Sequence, residues 1–227
     1  MIAVLAVLAI LGFVFGPTLW VRWVMSYHGG DRPDLPGTGA ELARHLLDLA
    51  GLDRVRVERS GPMGDHYDPE ALAVRLSDAN HDGRSLTAVA VAAHEVAHAV
   101  QDRDGMPMLR WRLGVVRAAM HAERAAVVLF LFAPLLAAMS GSPTLGLAPL
   151  AAGVSVMALT VLAHLVTLPV EVDASFRRAL PALERGGYLA GDDLRRARSV
   201  LRAAAFTYVA AALMSLLNVA RWIRVFR

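Results

Sequence analysis

Four long apolar stretches constrain what this chain can fold into more than any other feature. They cover residues 2–25, 125–139, 145–170 and 203–223, and each is close to the roughly 20 residues that a helix needs to cross a bilayer. Hydrophobic residues make up 56% of the 227-residue chain, and a soluble protein with four such stretches would have too little polar surface. We therefore predict a mainly α-helical integral membrane protein with about four transmembrane helices and a small α+β extramembrane portion.

The segments between these stretches divide the chain into three parts. Residues 1–26 are predicted to form a transmembrane anchor, because they lack the basic start and the cleavage site of a signal peptide. Residues 27–117 form the extramembrane region, and residues 118–227 return to the membrane, with a loop at 171–202. The second apolar stretch contains Pro134, and it is interpreted either as a span or as the continuation of a longer helix.

The arginines indicate an orientation in the membrane. All 23 basic residues are arginine, and ten of them lie near span ends on the side of residues 27–117 and 171–202, against three on the other side. Because positive charge is retained on the cytoplasmic side, we predict a multi-pass protein with this side in the cytoplasm. The net charge of +3 is small, so the lipid bilayer is the expected partner and nucleic acid is excluded.

A zinc-ligand pattern lies in the extramembrane region. The segment His94-Glu95-Val96-Ala97-His98 places two imidazoles four residues apart, so both project from one face of a helix. Such a pair can bind one zinc ion, and the intervening glutamate stands where it can take a proton from a water molecule. The alternative is a pair of histidines on a partly buried helix, each bonded to a neighbouring group.

The residues around this pattern indicate a buried helix. No Gly or Pro occurs from Ser85 to Asp104, Ser85 suits the N-cap position, and Gly105 with Pro107 ends the segment. The small apolar residues before His94 allow burial on most sides, as in zincin-type hydrolases. The extramembrane portion is therefore predicted to be zincin-like.

A catalytic zinc site usually has three protein ligands, and the chain has no cysteine to supply one. Glu171 is the first acidic residue after the third apolar stretch, on the same side of the membrane as His94. A carboxylate at the membrane edge is costly unless it is paired or binds a metal, so we predict Glu171 as the third ligand. The alternatives are Glu123, Asp173, His121 and His164.

Short elements are predicted before the motif. Residues 38–50 have helical apolar spacing and end at Gly51, whereas residues 54–60 and 71–76 read as short strands. The second strand is predicted to be the sheet edge that pairs with an extended substrate. A two-stranded ribbon that only covers the motif helix is the alternative.

Three side chains are candidates for supporting roles. His66 and Tyr67 lie in the predicted loop between the strands, where either could donate a hydrogen bond to a tetrahedral intermediate. A self-bonded turn is the alternative. Asp173 lies two residues after Glu171, and it suits the role of orienting a histidine or an arginine.

Four segments match a known pattern: residues 65–69, the motif followed by Gln101, residues 168–175 and residues 203–212. They are similar to those of the YugP-type membrane zinc metallopeptidases, and the resemblance covers most of the chain. It implies a zinc-dependent neutral peptidase of the bacterial cell membrane with one Zn²⁺ per chain. The implied site residues are His94 and His98 as ligands, Glu95 as the base and Glu171 as the third ligand.

The predicted function is that of a membrane-embedded zinc metallopeptidase. A zinc-activated water would attack a peptide carbonyl, and Glu95 would move its proton to the leaving amine. Because the third ligand emerges from a span, the expected substrate is a membrane-proximal polypeptide. Two other classes stay open: a catalytically silent, zinc-stabilised membrane scaffold or adaptor, and a membrane metal-binding or transport protein. No feature of the sequence indicates an oligomeric state.

Overall fold

The computed structural model describes residues 2–61, 64–140 and 147–225, and near the far ends of the long helices it describes the backbone alone. Within these residues the chain forms eight α-helices, one π-helical segment and three short strands. They are, in chain order, α1 (Ile2–Tyr27), α2 (Gly39–Leu49), β1 (Arg56–Arg59), β2 (His66–Asp68), β3 (Ala73–Leu76), α3 (Asp78–His81), α4 (Leu86–Arg103), α5 (Pro107–Ser140), α6 (Leu147–Val172), the π-helical segment (Asp173–Ala179), α7 (Leu180–Arg185) and α8 (Gly191–Val225).

Long helices occupy the described residues of all four apolar stretches. α1, α5, α6 and α8 each contain one of them, so their helical character is confirmed. Among the described residues, one continuous helical stretch, Ala151–Arg185, is long and apolar enough to cross a membrane, as judged by length and composition. Four transmembrane spans therefore stay a prediction.

Two predicted boundaries differ from the observed helices. α5 runs without a break through residue 117, so the second apolar stretch continues a longer helix, one of the two interpretations given above. The predicted loop at 171–202 is largely helical, because its apolar residues recur at helical spacing and are buried. These residues are Leu180, Leu183, Ala197, Val200 and Leu201.

The helix predicted at residues 38–50 is confirmed as α2. Thr38 and Glu41 form a capping box, in which each side chain accepts a hydrogen bond from the backbone N–H of the other residue. Gly51 ends the helix with a left-handed φ of 67°. Leu46 and Leu47 are buried, so this helix packs its apolar face against α4.

Three strands form the small sheet, in the order β1-β3-β2. β1 pairs with β3 in parallel, and β2 pairs with β3 in antiparallel orientation. The sequence prediction of two strands is therefore incomplete, since the segment assigned to the loop contains β2. The three residues of β2 are too few to show an alternating pattern, and a proline follows them directly.

The prediction that the strand at residues 71–76 forms the edge that pairs with a substrate is wrong, because β2 was not predicted. β3 corresponds to the predicted strand at residues 71–76, but it has neighbours on both sides. Because its backbone groups are paired with both neighbours, it has no edge left for a substrate. β2 is the edge strand that faces α4 and the predicted motif.

The motif helix α4 lies at the centre of the predicted extramembrane portion. Of its 18 residues, 15 are buried, because α2, the sheet, the π-helical segment and α8 pack around it. Ser85 caps its first turn by accepting a hydrogen bond from the N–H of Ala88 at 3.0 Å. The alanines and valines before His94 leave room for these neighbours, as predicted.

The close approach of α2 to α4 depends on one glycine. A Cβ atom at Gly39 would lie 2.1 Å from the carbonyl oxygen of Asn80 and 3.1 Å from that of Ala88. We expect Gly39→Ala to lower the stability of the protein by about 1–3 kcal/mol, because two backbone segments must move apart. Thermal unfolding in detergent measures this effect. The control is Gly30→Ala, whose Cβ would meet no atom within 4 Å, and an equal loss in both variants would contradict the packing argument.

Candidate metal centre

Two histidines of α4 point to one side of the helix. His94 and His98 are 4% and 5% exposed, and their ring centroids lie 4.7 Å apart. This proximity follows from the spacing of four residues, which places both side chains on one helical face. The helix thus presents two imidazoles to a common point.

Glu171, near the end of α6, brings a carboxylate to the same point. Its Oε2 atom lies 3.0 Å from Nε2 of His94 and 3.5 Å from Nε2 of His98, and the carboxylate is only 1% exposed. The three residues form a group that could hold a metal ion. Ligand atoms around a tetrahedral zinc ion lie about 3.3 Å apart, given zinc–ligand distances of about 2.0–2.2 Å, so the separations fit zinc.

The tautomer of His98 follows from its second nitrogen. Gln101 Nε2 donates to the carbonyl oxygen of Val170 and to Oδ2 of Asp173, both at 2.9 Å. Because these two groups only accept, the amide must turn its oxygen to Nδ1 of His98, 2.8 Å away. Nδ1 therefore carries a proton, and in the neutral imidazole Nε2 of His98 presents a lone pair to Glu171.

The second nitrogen of His94 contacts a serine. Ser175, in the π-helical segment, lies with its hydroxyl oxygen 3.2 Å from Nδ1 of His94 and 3.3 Å from the carbonyl oxygen of Leu201. Each imidazole thus has a polar partner at Nδ1 that orients the ring and leaves Nε2 facing the Glu171 carboxylate, and a metal ion bound there would contact all three side chains.

The second oxygen of Glu171 faces α5. Its Oε1 atom lies 3.0 Å from Nη1 of Arg112, although no hydrogen bond of good geometry reaches it among the described residues. Arg112 also donates to the hydroxyl of Tyr208 at 2.7 Å. The carboxylate is thus oriented from one side by a cation and from the other by the two imidazoles.

Glu95 lies next to these ligands and is 7% exposed. Burial raises the pKa of its carboxyl to about 7, and the nearby charge of Glu171 acts in the same direction. A bound cation would act in the opposite direction by favouring the ionised form. A group with a pKa near neutrality can both take and return a proton at physiological pH.

A cavity of about 230 Å³ opens over the three ligands and Glu95. Its walls come from the C-terminal end of α1, the first turns of α5, the middle of α8, and β2 with its flanking residues. The lining residues besides the ligands are Met25, Asp65, His66, Tyr67, Pro69, Val91, Glu95, Leu109, Arg112, Leu113, Ala204, Thr207 and Tyr208.

Among the described side chains, the alternative ligands Asp173, His121 and His164 are not part of the group of three. Asp173 binds Gln101 and Arg178 instead, with 2.8 Å to the guanidinium of Arg178, and this is the orienting position expected for it. His121 is exposed on α5, and His164 lies beside the ring of Tyr208, with 6.3 Å between centroids. The side chain of Glu123 lies outside the described residues.

His66 and Tyr67 both line the cavity, on β2 rather than in a loop. The imidazole of His66 contacts the carbonyl oxygen of Gly64 at 2.8 Å through Nδ1. The hydroxyl of Tyr67 donates to Asp102 at 3.0 Å, and burial raises the pKa of Tyr67. The Tyr67 proton is therefore committed to Asp102.

Sequence reasoning missed Arg112, Tyr208 and Ser175 as parts of the site. Arg112 is one of the ten arginines used to predict the orientation in the membrane. An arginine between apolar residues near a span needs a partner, and this could have indicated its role in the site. Tyr208 stands out as a phenol within an apolar stretch. Nothing in the sequence distinguishes Ser175, because its role depends on the contact between the π-helical segment and α4.

Comparison with known proteins gives matches over the length of the chain. A family model described as "putative neutral zinc metallopeptidase" matches residues 2–227. The chain is 36% identical over 227 residues to the "putative membrane protease YugP" of Bacillus subtilis (strain 168), and the match covers 100% of this chain and 97% of that protein. No solved structure matches the chain. The chain has a buried group of two histidines and a glutamate that could hold a metal ion. Because the family model matches residues 2–227, the chain belongs to the neutral zinc metallopeptidase family.

Proposed function

We propose that this protein is a zinc-dependent metallopeptidase that hydrolyses membrane-proximal polypeptides. One observation carries the proposal: three buried groups that could hold a metal ion, on His94, His98 and Glu171, converge in the cavity that Glu95 also lines. Family membership supports zinc as the ion, with one per chain. When bound, zinc supplies a positive charge that acidifies a neighbouring water molecule and polarises the peptide carbonyl.

Glu95 transfers the proton in this mechanism. Its carboxylate shares the cavity with the ligands, so it can accept a proton from the attacking water as the carbon–oxygen bond forms. It then returns the proton to the leaving nitrogen as the peptide bond breaks. Burial raises the pKa of Glu95 to about 7, and a bound zinc ion would lower it, so the carboxylate would be ionised near neutral pH and able to take up the proton.

Tyr208 is the best-placed donor to the developing oxyanion. Its oxygen already accepts a hydrogen bond from Arg112 at 2.7 Å, and its hydroxyl lies beside the Glu171 carboxylate, so its proton is directed towards the ligand group, where the oxyanion would form. Tyr67 was one of the earlier candidates, but its proton is directed to Asp102. We therefore assign the role of hydrogen-bond donor in the transition state to Tyr208.

The substrate is proposed to be an extended polypeptide near the bilayer. β2 is an edge strand beside the cavity, and an extended segment can add to such an edge through main-chain hydrogen bonds. Glu171 belongs to the apolar helical stretch Ala151–Arg185, and the related Bacillus protein is called a membrane protease. These observations support a location in the bacterial cell membrane. A multi-pass topology with a cytoplasmic active site is proposed from the sequence alone, on its four apolar stretches and the distribution of its arginines.

Zinc binding tests the ligand set. We expect the purified protein to bind one zinc ion per chain and Glu171→Gln to bind it at least about tenfold more weakly, because the amide lacks the negative charge. Competition with a chromogenic chelator gives the affinity, and elemental analysis gives the stoichiometry. Glu184→Gln changes an exposed carboxylate further along the same helical stretch and should bind zinc normally. Wild-type affinity in Glu171→Gln would exclude Glu171 as a ligand.

Hydrolysis tests the role of Glu95. We expect Glu95→Gln to keep one zinc ion per chain but to cleave an unstructured protein such as casein about 10²–10⁴-fold more slowly, because the amide cannot take up a proton. Peptide release is measured in detergent alongside zinc content. Normal activity of this variant would refute the mechanism. Absence of cleavage by a zinc-loaded wild type would favour a silent scaffold.

Replacement of Tyr208 by phenylalanine tests whether Tyr208 donates a hydrogen bond to the oxyanion. We expect Tyr208→Phe to lower kcat about 10²-fold with little change in KM, because the hydrogen bond forms in the transition state. Tyr67→Phe should have a much smaller effect, and Tyr27→Phe changes an exposed ring outside the cavity as a control. A rise in KM at unchanged kcat would assign Tyr208 to substrate binding instead.

A further inference from the structure

A second cleft, of about 550 Å³, lies on another face of the motif helix. Its floor consists of small apolar side chains of α4, which lie roughly a third of a turn away from the two histidines. The end of α2 forms one wall, and the π-helical segment with α7 forms the other. The floor residues are Ala93, Val96, Ala97 and Val100.

Positive charge surrounds this floor. Four arginines line the cleft, and no acidic side chain lines it among the described residues. Arg103 and Arg178 are already engaged, since both bind Asp104 and Arg178 also binds Asp173. Arg177 and Arg185 are exposed, and within the described part of the chain neither makes a hydrogen bond or an ion pair.

We propose that this cleft docks an acidic segment of a polypeptide partner. Arg177 and Arg185 are eight residues apart on one helical stretch, so about 12 Å of helix axis separates them. An extended peptide rises about 3.3 Å per residue, so two carboxylates three or four residues apart reach both arginines.

The apolar floor of the cleft favours a peptide over other polyanions as the ligand. Alanine and valine side chains accept aliphatic groups that alternate with the carboxylates of an extended segment. Single-stranded nucleic acid binds instead to aromatic side chains on which its bases stack, and Tyr188 is the one aromatic residue among those that line this cleft. The cleft and the metal centre share no lining residue, so this docking site does not depend on the proposed peptidase activity.

Fluorescence anisotropy of the full-length protein in detergent tests the proposal. The probe is a labelled ten-residue peptide of alternating glutamate and leucine, and its counterpart has glutamine in place of glutamate. We expect the glutamate peptide to bind, and the double variant Arg177→Gln/Arg185→Gln to bind it at least about tenfold more weakly, as expected for the loss of two charge-assisted contacts. The matched control is Arg195→Gln/Arg198→Gln, which removes two exposed arginines of α8 outside the cleft.

A second variant, Ala182→Glu, places a negative charge in the cleft wall and should weaken binding as well. Thermal unfolding confirms that each variant is folded. Equal affinity for the glutamate and glutamine peptides, or equal weakening in the control variant, would overturn the proposal. Tighter binding of oligothymidine or of phosphatidylglycerol micelles than of the glutamate peptide, lost in the double variant, would also overturn it by assigning the cleft to those ligands.

Discussion

The fold around α4 brings two imidazoles and one carboxylate together in the protein interior. Oε2 of Glu171 lies 3.0 Å from Nε2 of His94 and 3.5 Å from Nε2 of His98, and Ser175 and Gln101 contact the other ring nitrogens. A buried carboxylate is costly unless it is paired or binds a metal, and here the two imidazoles and Arg112 surround it. α2, the π-helical segment and α8 pack around α4 and hold these groups in place.

The backbone of the third ligand's helix takes part in this support. A π-helical segment begins two residues after Glu171, and such irregular turns occur frequently at functional sites. Here the segment directs Ser175 to His94 and Asp173 to Gln101, while the carbonyl of Val170, just before it, accepts from Gln101. The π-helical segment thus supplies a direct partner to His94, which is Ser175, and an indirect one to His98, because Asp173 holds the Gln101 side chain that contacts His98.

Sequence reasoning predicted the parts that follow from local periodicity and from topology. The spacing of His94 and His98 specifies a common helical face, and the order of the apolar stretches brings Glu171 to the same side. Sequence reasoning did not predict β2, because three residues are too few to show an alternation of apolar and polar side chains. Nor did it predict Ser175 or Arg112 as partners, since these contacts join segments about 60–80 residues apart and depend on how the helices pack.

Glu171 differs from the two histidines in the element that carries it. The histidines belong to a buried helix of the extramembrane portion, whereas Glu171 belongs to the continuous helical stretch Ala151–Arg185, the candidate span. A helix in a bilayer changes its tilt when the thickness of the hydrocarbon layer changes. If this helix spans a bilayer, a change in lipid chain length would therefore change the distance between Glu171 and the histidines. Metal affinity would then depend on the lipid composition.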